Sequence, residues 1–139
     1  MMQIKIFEDS QNSIRFLITG ISAEFSNTLR RIAMSELPSM TIDDVFFYEN
    51  TSVVNDETVA HRLGLIPLKT DLKTYVLPER CTCKSEMGCS RCKVPGSLDV
   101  TADGTKITVY SKDLKFEDPD IAPVSDEIPI TKLGPDQKI

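Results

Sequence analysis

Four cysteines lie within a short stretch of this chain, and they limit how it can fold more than any other feature does. They follow the pattern Cys81-x-Cys83-x5-Cys89-x2-Cys92, and the chain has no other cysteine. Residues 78–97 hold glycines, charges and these thiols with little apolar periodicity, so the stretch needs a staple to be ordered. Four thiolates this close can converge on one tetrahedral ion, and zinc suits all-sulfur ligation. The spacing therefore predicts one metal, with zinc favoured.

The chemistry of the cysteine stretch leaves other occupants open. A [4Fe–4S] cluster also takes four thiolates and is the main alternative. Two disulfides or free thiols are the others, and a reducing compartment disfavours disulfides. Four thiolates on Zn²⁺ leave net negative charge, which Arg80, Lys84, Arg91 and Lys93 could offset. Because sulfur would fill every ligand position, we predict that the metal is structural.

The charge and hydropathy of the chain exclude some classes of function. The net charge is −5 and the pI about 4.9, the opposite of the balance that neutralises nucleic-acid phosphates. We therefore expect no direct nucleic-acid binding. No apolar run of about 18 residues occurs, so we expect no membrane span. The first residues, MMQIKIFEDSQ, lack the basic and apolar regions of a signal peptide, which points to the cytoplasm.

The first forty residues predict a hairpin followed by an amphipathic helix. Alternating apolar residues indicate strands at 2–7 and 13–18, with turn formers between them. Ser22 is a good N-cap for a helix over 23–37, and Pro38 would stop it. The apolar residues of this helix fall on one face at helical spacing. They are Phe25, Leu29, Ile32, Ala33 and Leu37.

The remaining sequence predicts shorter elements, and the whole predicts an α+β fold. Residues 41–48 are typical of a strand, and a short helix should run from Asn55 or Asp56 to Leu63. Alternation at 98–100 and 107–109, on either side of an Asp-Gly turn, predicts a second hairpin. Ile128 and Ile130 around Pro129 indicate an edge strand.

No residue pattern in the chain indicates catalysis. His61 is the only histidine, and we interpret it as a helix-surface or interface residue. No serine or cysteine nucleophile has an evident base, and no glycine-rich phosphate loop is present. The acidic pair Asp43-Asp44 is best explained as a solvated strand end.

The arginine pair on the predicted helix leads to a family resemblance. Arg30 and Arg31 point about 100° apart on a helix, so one can pair locally while the other reaches a partner. Together with TVAHRLGLIPL at 58–68, the segment AEFSNTLRRIAMSEL at 23–37 resembles the assembly subunits of multisubunit RNA polymerases. That family includes the archaeal D subunit, the third-largest eukaryotic subunit and the bacterial alpha subunit. TVYSKDL and PVSDEIPITKL at 108–114 and 123–133 resemble the inserted domain of that family.

The resemblance implies a domain plan for the chain. Residues 1–48 would form the N-terminal part of a dimerisation domain, and 49–135 an inserted β-rich domain carrying the four-cysteine loop at 81–92. Residues 136–139 would begin the return to the dimerisation domain. Family members continue past ITKLGPDQKI, so we expect the chain to resemble the N-terminal portion of a subunit, as a fragment or a split form.

The resemblance also implies partners and roles for particular residues. The chain would be a non-catalytic scaffold of a DNA-directed RNA polymerase, whose active site lies on other subunits. A small L-like subunit would pack on Phe25, Leu29, Ile32 and Ala33. The large catalytic subunits would dock on Asn27, Arg30, Arg31, His61 and Arg62, with small N- and P-like subunits nearby. The alternative is a free-standing four-cysteine module that binds metal or senses redox state.

Overall fold

The computed structural model describes residues 1–10, 13–85 and 87–139, and the chain divides into two units, Met1–Leu37 and Pro38–Ile139. Gln11 and Asn12, in the predicted first turn, lie outside the described residues. Helices and antiparallel strands are both present, which confirms the α+β class. Among the described residues, no helix is long and apolar enough to cross a bilayer.

The first unit begins with the predicted hairpin. Strand β1 (Gln3–Asp9) pairs antiparallel with β2 (Ile14–Thr19), which places Ile4 opposite Ile18 and Ile6 opposite Phe16. These cross-strand pairs share one face of the hairpin, as the period-two alternation predicts. The register shifts between Ile6 and Glu8, so Phe7 lies in a bulge.

The predicted helix follows as α1 (Ala23–Ser35). The Ser22 side chain accepts a hydrogen bond from the backbone N–H of Phe25 at 3.3 Å, which confirms its capping role. The helix ends two residues before the predicted end at Leu37. Pro38 explains this, since it disfavours helical geometry at the residue before it and leaves Glu36 as the C-cap.

The first unit has no buried residue among those that the structure describes. On the apolar face of α1, Phe25 is 56% exposed, Leu29 42% and Ile32 39%. The hairpin also leaves its apolar side chains exposed, apart from half-buried Ile18. The first unit therefore has regular secondary structure without a core.

In the part that the structure describes, the second unit contains one helix, four short strands and two 3₁₀ turns. Helix α2 spans Asp56–Gly64, and the strands are β3 (Gly96–Ser97), β4 (Ile107–Tyr110), β5 (Lys115–Phe116) and β6 (Pro129–Leu133). Strand β3 pairs with β5, and β4 with β6, both antiparallel. The 3₁₀ turns lie at Pro78–Arg80 and Ser111–Asp113.

The core of the second unit is built from α2, the β4–β6 pair and the segments around them. Val109 and Ile130 are wholly buried, and α2 packs on β6. The buried apolar residues are Val59, Leu63, Ile66, Leu68, Ala102, Val109, Ile121, Ile130, Leu133 and Ile139. At the β4–β6 pair, Val109 faces Thr131 and Tyr110 faces Pro129, so Ile130 is the extra residue of a bulge.

The structure contradicts the predicted strand at 41–48. Met40, Ile42, Val45 and Phe47 pack against the core of the second unit, while Tyr48 is 99% exposed. No neighbouring strand pairs with 41–48 among the described residues. The apolar alternation is therefore satisfied by packing, without the hydrogen-bonded ladder that defines a strand.

The predicted hairpin around Asp103-Gly104 is also wrong. Gly104 has the positive φ, +66°, that its turn signal indicates, yet β4 pairs with β6 and not with 98–100. Val100 exchanges backbone hydrogen bonds of 2.8 and 3.0 Å with Ile139 instead. A local turn signal was thus overridden by pairing with the end of the described chain.

Candidate metal centre and interaction surfaces

The four predicted metal ligands meet at one point of the structure. The sulfurs of Cys81, Cys83, Cys89 and Cys92 all lie within 4.8 Å of one another. The Cys81–Cys89 sulfurs are 3.7 Å apart, and the Cys83–Cys92 and Cys89–Cys92 sulfurs 3.8 Å. None of these distances is a disulfide bond, and Cys83 is exposed while the other three are half-buried.

The sulfur separations fit a single tetrahedral ion. With metal–sulfur bonds of about 2.3 Å, tetrahedral geometry places neighbouring sulfurs about 3.8 Å apart. Three measured separations fall at 3.7–3.8 Å. The cluster can therefore hold a metal with little rearrangement of its side chains.

The backbone of the Cys89–Cys92 turn presents its two ligands. The carbonyl of Cys89 accepts hydrogen bonds from the N–H groups of Cys92 and Lys93, both at 2.9 Å. The N–H of Cys89 in turn donates to the sulfur of Cys92 at 3.2 Å. Gly88 enters this turn with φ +76°, a left-handed conformation that glycine adopts at little steric cost.

The thiols of the cluster have different pKa values because they lie close together. A backbone hydrogen bond from Cys83, aided by neighbouring thiols, lowers the pKa of Cys81 to about 7. A backbone hydrogen bond from Cys89 acts to lower the pKa of Cys92, but burial and the three neighbouring thiols outweigh it and raise that pKa to about 11. The thiols therefore differ in acidity, as expected for acidic groups held close together.

One basic residue of the loop has a partner far away in sequence. The Lys93 ammonium forms an ion pair with Asp44 at 2.5 Å, 49 positions earlier. This hydrogen bond raises the pKa of Lys93, with a further contribution from Asp43. Asp44 is therefore more than a solvated strand end, and no local sequence signal could have found the pair.

The residues expected at the dimer interface share the exposed face of α1. Phe25, Leu29 and Ile32 are exposed large hydrophobic residues, and Ala33 is exposed beside them. Helical spacing places these residues in one continuous apolar stripe.

The α1 residues expected to dock large subunits differ in how they are held. Arg30 donates two hydrogen bonds to Asn27 Oδ1, from Nε at 3.3 Å and from an Nη at 2.9 Å. Its other Nη approaches the Met34 sulfur at 3.3 Å. The Arg31 side chain has no hydrogen bond or ion pair to any residue that the structure describes. The structure thus brings Asn27 and Arg30 together and leaves Arg31 exposed on α1.

The α2 residues expected to dock large subunits also have different environments. His61 is exposed on the last turn of the helix. Arg62 donates from Nη1 to the carbonyl of Ile130 at 2.7 Å. That carbonyl belongs to the bulged residue of β6, so Arg62 pairs with a backbone group at the point where the ladder is irregular. This structural contact of Arg62 was not predicted from sequence.

Comparison with known proteins identifies a matching family and several relatives of this chain. The family model for the RNA polymerase Rpb3/RpoA insert domain matches residues 42–139. A protein from Methanosphaera stadtmanae named DNA-directed RNA polymerase subunit Rpo3 is 43% identical, over 99% of this chain and 51% of its own length. Proteins of the same name from Pyrococcus horikoshii and Pyrobaculum neutrophilum are 41% and 45% identical over 100% of this chain, which covers 50% and 52% of them.

The fold and the four-cysteine site define an α+β protein whose second unit carries a cysteine cluster that could hold a metal ion. The family match covers most of that unit, and the chain belongs to the RNA polymerase Rpb3/RpoA insert domain family. The chain spans about half the length of the curated relatives it matches. The resemblance deduced from the segments at 23–37 and 58–68 is confirmed.

Proposed function

We propose that the chain acts as a non-catalytic assembly scaffold within a DNA-directed RNA polymerase of archaeal type. The observation that carries this proposal is the exposed apolar stripe on α1, in a unit without a core. Stable monomers rarely leave such a surface uncovered. Family membership and the polymerase names of the relatives support the same reading. The polymerase active site would lie on other subunits, and the complex would work in the cytoplasm.

The first partner is a small L-like subunit that covers the stripe. Phe25, Leu29, Ile32 and Ala33 would pack against an apolar face of that partner. Burial of such side chains gives most of the energy of an obligate interface, because each removes apolar area from water. The hairpin of β1 and β2 exposes further apolar area that the same partner could cover.

The second set of partners is the large catalytic subunits. Arg31 and His61 are exposed and offer polar contacts from α1 and α2. Asn27 holds the Arg30 guanidinium in one orientation, which reduces the entropy lost when a partner binds it. Arg62 would offer a further polar contact to these subunits while its guanidinium keeps the hydrogen bond to the Ile130 carbonyl. Small N- and P-like subunits would bind nearby, and nucleic acid would be contacted by other subunits.

The metal we propose is one structural zinc ion. The four sulfurs of a [4Fe–4S] cluster bind four separate irons and so stand farther apart than sulfurs on one ion. Separations of 3.7–3.8 Å favour the single ion. With four thiolates bound, no position remains for water or substrate, so the ion would hold the loop and perform no reaction.

Substitution on the two faces of α1 tests the scaffold proposal. Leu29→Ala should abolish co-purification with the small partner, because losing a buried leucine costs about 2–5 kcal/mol. A loss of that size weakens binding by more than about tenfold. Met34→Ala is the matched control, since Met34 is 75% exposed and lies off the stripe. Arg30→Ala should keep the small partner and weaken docking of the large subunit. Wild-type yield of the heterodimer with Leu29→Ala would refute the dimerisation role.

Elemental analysis tests the metal proposal. The purified chain should carry about one zinc per molecule and lack the brown colour of an iron–sulfur cluster. Cys83→Ser should loosen the cysteine loop and leave 2–37 unchanged. A redox activity that rises and falls with metal content would instead favour a free-standing redox module.

A further inference from the structure

We propose that the metal loop, residues 78–93, also holds residues 41–47 against the core of the second unit, through the ion pair between Lys93 and Asp44. This inference rests on the proposed metal site. Metal occupancy of the loop would then control how tightly residues 41–47, which lie outside the loop, are held. Glu86 of the metal loop lies outside the described residues, and no step below uses it.

The first step is the way in which the metal ligands position Lys93. Lys93 directly follows the ligand Cys92, and its N–H donates to the carbonyl of Cys89, itself a ligand. Its aliphatic stem lies against Gly88, where an added Cβ would be 2.7 Å from Lys93 Cγ. The Lys93 stem is therefore fixed at both ends of the ligand turn, at Gly88 and at Cys92. Loss of the metal would release that turn and with it the position of the ammonium.

The second step is the reach of Lys93 to the other segment. Its ammonium pairs with Asp44 at 2.5 Å, and Asp43 adds negative potential beside it. The Lys93 and Asp44 side chains are 34% and 55% exposed, so the pair is only partly screened by solvent. This pair is a direct link between the metal loop and 41–47.

The third step is the scarcity of other polar attachments for 41–47. Among the described residues, no backbone hydrogen bond to another backbone group holds 42–47. Thr41 donates to the carbonyl of Gly64 at 2.9 Å, at the start of the stretch. Beyond that, the stretch is held by the apolar packing of Ile42, Val45 and Phe47. With so few polar contacts, loss of the Lys93–Asp44 pair should be measurable in the stretch itself.

Limited proteolysis of the zinc-loaded full chain by chymotrypsin, which cleaves after Phe46 and Phe47, tests the link. Lys93→Met keeps the stem and removes the charge, and should speed cleavage within 41–47 about two- to fivefold, the range for a partly exposed ion pair. Asp44→Asn should reproduce that result. The matched control is Lys138→Met, which breaks the comparably exposed Lys138–Glu49 pair of 3.1 Å outside the metal loop. The control should leave cleavage within 41–47 unchanged.

Chelation of zinc completes the test. In the wild type, chelation should speed hydrogen exchange in the metal loop, where amides are hydrogen-bonded, and speed chymotrypsin cleavage within 41–47. In Lys93→Met, chelation should open the loop without a further change in 41–47, because the link is already broken. The proposal is overturned if chelation of the wild type opens the loop and leaves 41–47 unchanged; the zinc site would survive that result. A purified chain without bound metal would overturn the metal site as well, and elemental analysis identifies that case separately.

Discussion

The two units of this chain differ in what they contain. The first has the longer helix and strands, whereas the second has the buried apolar residues. The first unit holds the longest helix, of 13 residues, and the longest strands, of 7 and 6 residues, yet none of its described residues is buried. The second unit has strands of only 2 to 5 residues and contains every buried residue that the structure describes. Secondary structure and a core are thus separable properties in this molecule.

The difference teaches where each unit obtains its stability. An isolated two-stranded hairpin is marginal in water, and so is a helix shorter than about 12–15 residues. The first unit combines these two elements without burying either apolar face. The second unit removes Val109, Ile130 and their neighbours from water and so stabilises itself. We infer that the first unit depends on a partner surface and the second does not.

The largest expected effect comes from truncating one residue in each unit of the chain alone. Ile130→Ala should lower the free energy of unfolding by about 2–5 kcal/mol, because Ile130 is wholly buried. Leu29→Ala should change it by less than about 0.5 kcal/mol, since Leu29 is 42% exposed and is not part of a core. Urea denaturation measures both. Equal losses would contradict the contrast between the units.

A smaller effect is expected from Arg62, whose structural contact distinguishes it from the other docking candidates. Arg62→Met removes the hydrogen bond to the bulged Ile130 carbonyl and should cost about 1.5–3 kcal/mol of unfolding free energy. Arg31→Met is the control and should be nearly neutral in the chain alone. If the two variants melt at the same temperature, Arg62 serves no structural purpose.

A gain of about 1 kcal/mol is expected from Thr131→Val. Thr131 is 2% exposed in β6, and its hydroxyl has no hydrogen-bond partner among the described residues. A buried polar atom without a partner is costly, and valine has nearly the same shape. Thermal denaturation should show a higher midpoint for the variant. A lower midpoint would mean that the hydroxyl is satisfied in solution.

The smallest effect concerns acid pH and the contact between Tyr75 and Asp118. The Tyr75 hydroxyl donates to Asp118, which lowers the pKa of that carboxyl below its usual value. A lowered pKa contributes stability above the unfolded value, and this is lost as pH falls through the folded value. The difference in melting temperature between wild type and Tyr75→Phe should therefore be constant near neutral pH and narrow below about pH 4. A difference independent of pH would exclude this linkage.

The sequence predicted features that depend on nearby residues. The hairpin of β1 and β2, the Ser22 cap, helix α2 and the convergence of four cysteines all follow from local spacing. Long-range pairing was not predictable in the same way. The Asp103-Gly104 turn formed without its hairpin, because Val100 pairs with Ile139 and β4 with β6. The contacts Lys93–Asp44 and Arg62–Ile130 join residues 49 and 68 positions apart, beyond any periodic signal.

Hydrogen exchange on the chain with and without the proposed small L-like partner tests the contrast between the units most directly. Alone, amides of β1, β2 and α1 should exchange with little protection, while those of α2, β4 and β6 should be strongly protected. In the heterodimer, protection should rise by orders of magnitude in α1 and change little in the second unit. Strong protection of α1 in the chain alone would show that the first unit is stable without a partner, and would contradict the proposed assembly role.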